Sequence, residues 1–199
     1  VLIGTQVIAK VHHLPGVTLV GIISADVGLG LPDFRAGERS FQTICQVSGR
    51  AGRGRVSGKA ILQTYQPDHY SVVAAADQNY PSFLETESRY RKRFLHPPYS
   101  RLIRLLRQEP NDVTCEREAL ALVRLLKKQQ QAWGMTDVDI LGPTPAFPSR
   151  VRGHYRWQIL LRGSNPRALL DTVRFRRNEG RTGKMKEGWT IDVSPSFQG

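Results

Sequence analysis

The run Gln46-Val47-Ser48-Gly49-Arg50-Ala51-Gly52-Arg53-Gly54-Arg55 carries the most pointed chemistry in this sequence. Glycines at 49, 52 and 54 free the backbone to turn sharply, and they set Arg50 and Arg53 on a short, stiff loop. Two guanidinium groups at that spacing can address one phosphate together. An arginine aimed at a transferring phosphoryl group neutralises the charge that develops on its equatorial oxygens. The same run also reads as a glycine-rich turn that happens to be basic, and by itself it does not decide between the two.

A second cationic run, Arg150-Val151-Arg152-Gly153-His154-Tyr155-Arg156-Trp157-Gln158, interleaves cations with aromatics, as binders of single-stranded nucleic acid do. Strand periodicity splits it. Tyr155, Trp157, Ile159 and Leu161 fall on one face, and His154, Arg156, Gln158 and Arg162 on the other. The aromatic face reads as core and the polar face as a contact surface. Arg174-Phe175-Arg176-Arg177 and Lys184-Met185-Lys186 read either as phosphate contacts or as a solvated basic rim. Histidines 12, 13, 69, 96 and 154 show no metal-ligand spacing, so no metal is assigned. Cys45 and Cys115 read as small core residues.

What must position these groups follows from composition and pattern. The 199 residues leave room for one large domain or two small ones. Of the 29 cations 22 are arginine, the formal charge is +12, and both favour a polyanionic partner. A 40% hydrophobic content is too high for a disordered basic tail, and no apolar run approaches a bilayer span. Two cysteines cannot build a disulfide framework or a four-cysteine zinc site, which favours a reducing, cytoplasmic setting. The charge divides as +4 over residues 1–66, zero over 67–97 and +8 over 98–199. His96-Pro97-Pro98 stops the helical segment before it, so these three ranges are the expected domains.

Val1–Gly4 and Val17–Ser24 read as buried strands, Phe34–Ser48 as a helix capped by Asp33, and Lys59–Tyr65 as a strand: an α/β pattern with a parallel sheet. Residues 69–95 read as helical with a break near Asn79-Tyr80-Pro81. Beyond the proline pair come strand Ser100–Arg107, helix Thr114–Gln131, strands Val138–Leu141 and Tyr155–Arg162, helix Asn165–Arg176 and strand Trp189–Val193. That order, βαββαβ, is the ferredoxin-like α+β pattern.

Other blocks add specificity. Gly4-Thr5-Gln6-Val7-Ile8-Ala9-Lys10 stands at a strand-to-loop junction ahead of the arginine loop, and the pair resembles motifs V and VI of superfamily 2 helicases. Leu31–Arg39, Tyr99–Leu105, Leu141–Ala146 and Tyr155–Leu161 narrow the likeness. Together they resemble the C-terminal end of the primosomal protein N′ (PriA) family of replication-restart DNA helicases, over almost the whole chain and weakening across residues 174–188. The resemblance implies an ATP-dependent 3′-to-5′ helicase that recognises stalled or abandoned replication forks and promotes primosome assembly. It implies that residues 1–66 are the C-terminal part of a RecA-like helicase lobe, 67–97 a helical connector and 98–199 a basic C-terminal domain. Gln46, Gly49, Arg50 and Arg53 would line a cleft for ATP and Mg²⁺ shared with a first lobe outside this sequence. Arg53 would be the finger and Arg50 a second phosphate contact, while zinc would belong to the upstream part alone. Gly4, Thr5, Gln6 and Lys10 would touch DNA. Arg150, Arg152, Arg156 and Gln158 would take the acidic, carboxylate-ended tail of single-stranded DNA-binding protein, and other primosome proteins would be further partners.

Two departures bear on ATP coupling. Val11 stands where the family's motif V has a glycine, and a branched residue reaches positive φ only at a cost. His13 stands where it has an acid. These favour, as the alternative, a fork-binding adaptor that does not translocate. The chain also has no Gly-x-x-x-x-Gly-Lys-Ser/Thr loop and no Asp-Glu-x-His box, so alone it is expected not to hydrolyse ATP. Its opening Val-Leu-Ile-Gly-Thr-Gln, without Met, reads as a strand from inside a longer protein.

Overall fold

The computed structural model describes residues 2–4, 16–52, 57–174, 188–193 and 195, with 172–174 described in backbone only. The chain divides into two compact units, Val1–Tyr90 and Arg91–Gly199.

In the first unit β1 (Leu19–Ile22) lies parallel to β2 (Lys59–Leu62), Leu19 beside Lys59 and Ile22 beside Leu62. Helix α1 (Ala36–Ser48) makes the crossover between them. It starts later than the sequence suggests, and Asp33 is not its cap. Asp33 instead accepts the Arg35 N–H at 2.9 Å and pairs with Arg39 at 2.7 Å, so the carboxylate closes the preceding turn and holds a first-turn cation. Helices α2 (Tyr70–Ala76) and α3 (Tyr80–Arg93) follow, broken at the expected place. Phe41 and Ile44 of α1, Val72, Ala74 and Ala75 of α2, and Phe83 of α3 form one apolar cluster, with the Phe41 and Phe83 rings stacked at 4.2 Å. The helical stretch expected as a separate connector therefore supplies much of the first unit's core.

The strand read over Val17–Ser24 is not buried as expected, and the strand over Lys59–Tyr65 is also exposed. Leu19 is 60% and Ile61 51% exposed, and Leu2–Gly4 form no strand, with Ile3 87% exposed. Parallel strands are buried only when layers cover both faces. Among the described residues β1 and β2 pair with each other alone, so only Ile22 and Leu62 reach the helical layer.

The second unit contains β3 (Arg101–Glu109), α4 (Asp112–Ala132), β4 (Val138–Val151), β5 (His154–Gly163), α5 (Pro166–Arg174) and β6 (Trp189–Val193). The order is the βαββαβ read from the sequence. Strands stand β4-β5-β3-β6, each antiparallel to its neighbours. Thus β3 and β4 run the same way with β5 between them, a split βαβ arrangement. Asn111 caps α4 by accepting the Thr114 N–H at 3.0 Å. The helix buries Cys115, Ala119, Leu122, Val123 and Leu126 at the spacing expected of one face. Leu122, Val123 and Leu126 meet Ile103 and Leu105 of β3 and Ile159 and Leu161 of β5 in the main core. Strand β4 runs ten residues past its expected end at Leu141. Gly142, Pro143, Pro145 and Pro148 argue against a strand in general, but β4 is an edge strand. Its register slips between Leu141 and Thr144 and again between Pro145 and Arg150, and bulged edges accept prolines that a central ladder rejects.

Candidate anion-binding surfaces

The arginine loop begins where α1 ends. Gly49 follows the helix with an ordinary φ of −67°, its N–H donating to the Cys45 carbonyl at 3.0 Å. The turn falls at Gly52 instead. Its φ is +75°, its N–H donates to Val17 at 2.9 Å, and a Cβ there would stand 2.5 Å from the Gly58 nitrogen. Only glycine satisfies both conditions. Arg50 is half-buried beside the helix end, its N–H on the Val47 carbonyl at 3.0 Å, and Gln46 is exposed in the last turn. A helix C-terminus carries partial negative charge that suits a guanidinium and by itself repels phosphate, so anion binding here requires the arginines. Arg53 and Gly54 lie outside the described residues, as do Thr5, Gln6, Lys10, Val11 and His13, and Gly4 is exposed without regular structure.

The polar face of β5 is fully described. Ile159 and Leu161 are buried against α4, so Arg156, Gln158, Leu160 and Arg162 point to the opposite side of the sheet. Across that side stand Gln108 beside Arg156, Leu106 beside Gln158, and Arg104 beside Leu160, with Asp192 of β6 beside Arg104. Three half-buried guanidinium groups therefore share one face. Arg162 is committed, at 2.8 Å from both Asp139 and the Phe94 carbonyl. Arg104 pairs with Asp192 at 3.1 Å. Arg156 donates to the Pro148 carbonyl at 3.2 Å and has no carboxylate among the described residues. Burial, then the positive charge of Arg104, hold its pKa below the usual arginine range. Its Nε and the Gln158 Oε1 are buried and have no hydrogen-bond partner among the described residues. An anion here would offset the positive charge that Arg104 adds at Arg156, and a guanidinium suits a carboxylate.

Arg156 and Gln158, both expected on the polar face, do come together. Arg150 does not join them: it lies opposite Tyr155, its guanidinium 4.9 Å from that ring, on the aromatic side of the sheet. Arg152 is exposed in the β4–β5 turn, at a φ of +49°. On the aromatic side Trp157 is half-buried and donates to Asp112 at 2.8 Å. Arg104 and Asp192 were not singled out from sequence. Strand alternation puts Arg104 opposite Ile103 and Leu105 just as it puts Arg156 opposite Ile159, but only the pairing of β3 with β5 brings both to one face, four ladder positions apart.

Among the described residues no three His, Cys, Asp or Glu side chains are placed to hold a metal ion, and no helix is long and apolar enough to cross a membrane. Burial pushes the Cys45 and Cys115 thiols above the usual thiol range.

Residues 92–196, just over half of the chain, match a family model described as the primosomal protein N C-terminal domain. The replication restart protein PriA of Synechocystis sp. is 42% identical over 161 residues, covering 81% of this chain and 19% of that relative. That of Bacillus subtilis is 38% identical over 162 residues, covering 81% and 20%. That of Treponema pallidum is 43% identical over 181 residues, covering 87% and 27%. The chain thus spans about a fifth to a quarter of the length of these relatives.

Proposed function

Because the chain belongs to the primosomal protein N C-terminal domain family, we propose that it is the C-terminal part of a replication-restart protein whose own contribution is anion binding. The observation that carries this reading is Arg104, Arg156 and Gln158 on one face of the sheet, inside the segment that the family model matches. In the finer reading the whole protein is an ATP-dependent 3′-to-5′ DNA helicase of superfamily 2, acting at stalled forks and assembling the primosome. The parallel β1–α1–β2 unit supports reading residues 1–66 as the end of a RecA-like lobe. There Gln46, Gly49, Arg50 and Arg53 would face ATP and Mg²⁺ held jointly with a first lobe, and Gly4, Thr5, Gln6 and Lys10 would touch DNA. Val11 and His13 favour a second reading, a fork-binding adaptor that does not translocate.

The partner proposed for the β5 face is the acidic, carboxylate-ended tail of single-stranded DNA-binding protein. Its carboxylates would meet Arg156, with Arg104 farther along the same face, and the Gln158 amide can turn its NH₂ toward the same oxygens. Titrating a fluorescent tail peptide tests this. Arg156→Ala should weaken binding about tenfold, the scale of one lost charge-assisted contact, with the circular dichroism spectrum unchanged. Equal affinity in the variant removes the assignment. The 199-residue chain should release no phosphate from ATP on adding DNA; turnover abolished by Arg53→Ala would show that a complete cleft is present.

A further inference from the structure

The side of the second unit away from the β5 face carries its own cationic surface. Along α4 the buried stripe of Cys115, Ala119, Leu122 and Leu126 faces the sheet, and the diametrically opposite ridge holds Val113, Arg117, Leu120, Arg124 and Lys128, with Lys127 at its side. All six are exposed. Arg117, Arg124, Lys127 and Lys128 make no ion pair among the described residues, whereas Arg39, Arg104, Arg107 and Arg162 each hold a carboxylate. The acids of α4 are spent elsewhere: Asp112 on Trp157 and Glu118 on Arg107 at 2.7 Å, with Glu116 at the margin of the ridge.

A solvated helix face normally alternates charges of opposite sign at four-residue spacing, which supports the helix. Here Arg124 and Lys128 stand four apart with the same sign, a spacing that costs helix stability. That cost is offset when a polyanion lies along the ridge. From Arg117 to Lys128 the axis advances about 16 Å at ~1.5 Å per residue, close to five base-pair steps at about 3.4 Å each. The ridge has no aromatic side chain to form a pocket, so its cations suit a phosphate backbone rather than a folded acidic protein.

We infer that the outward ridge of α4, through Arg117, Arg124, Lys127 and Lys128, binds the phosphate backbone of DNA without regard to sequence. The choice of DNA as the polyanion rests on the function proposed above. The test measures binding of a short fluorescent duplex to the whole chain across a salt series. Arg117→Ala/Arg124→Ala/Lys128→Ala should weaken binding about tenfold or more at low salt and lower the slope of log K against log salt by about two to three. The control removes the same charge elsewhere, by Lys59→Ala/Lys92→Ala/Arg93→Ala at exposed positions, and should change the slope by less than one. A ridge variant that behaves like the control overturns the inference alone. A chain that binds no duplex overturns this inference together with the DNA-binding part of the proposed function. Ridge-dependent binding of polyglutamate, with duplex binding unaffected, makes an acidic protein the occupant and also overturns it.

Discussion

His69 can cap α2 only as a neutral imidazole. Its Nδ1 accepts the Ser71 N–H at 3.3 Å and lies 2.8 Å from the Ser71 hydroxyl, and a protonated ring has no lone pair there. Burial holds its pKa below the ordinary histidine value, with the Glu87 charge pulling weakly the other way. Glu87 itself accepts the Tyr70 hydroxyl at 2.5 Å. The unfolded chain therefore takes up the proton first as pH falls. The cap's contribution is complete above the ordinary histidine pKa and is lost as pH drops through it toward the lower folded value. Far-UV circular dichroism should show the first unit losing denaturant resistance between about pH 7.5 and ~5. His69→Ala should cost about 1 kcal/mol at neutral pH. His69→Asn should keep most of the stability and flatten the pH response; a slope that survives in this variant would assign the response to another group. Such a cap was not visible in the sequence, because histidine is a rare capping residue and only the backbone path puts Ser71 within its reach. Arg156 and Gln158 were visible, because their alternation with Ile159 and Leu161 needs nothing beyond strand geometry.

Strand β4 separates what local pattern can and cannot reveal. Helix α4 announced itself through a periodic stripe and length, both properties of one segment. The extent of β4 depends on where it stands: Gly142 and three prolines within fourteen residues break a central strand and are tolerated at an edge. Strand β1 failed in the opposite sense, since its β-branched run promised burial that requires covering layers. The side of the sheet that a residue faces has a measurable consequence. Leu161 on β5 is fully buried under α4 and Leu141 on β4 is 37% exposed. All three tryptophans, Trp133, Trp157 and Trp189, fall in the second unit, so their fluorescence follows its unfolding alone. Leu161→Ala should destabilise this unit by about 2–5 kcal/mol, and Leu141→Ala by less than about 1 kcal/mol. Equal losses would mean that the sheet is covered at Leu141 on the side away from α4.

The +12 charge of the whole chain first suggested one polyanion, and the two surfaces proposed for the second unit would divide the task. The Arg104–Arg156 face and the α4 ridge belong to opposite sides of one sheet-and-helix sandwich. A helix and a sheet stand between them, about 10 Å of packed protein or more, while charges at physiological ionic strength are screened over ~8 Å. Neutralising one surface should hardly alter the field at the other, and neither ligand blocks its counterpart. Saturating the chain with the acidic tail peptide should therefore leave its affinity for duplex DNA within about twofold at ~0.15 M salt. The coupling should grow as salt is lowered and the screening length lengthens. Two-colour anisotropy, with the peptide and the duplex labelled separately, would report a ternary complex directly. Mutual displacement at physiological salt would mean that the two anions compete for one surface, and Arg156→Ala set against the α4 triple would then identify which surface that is.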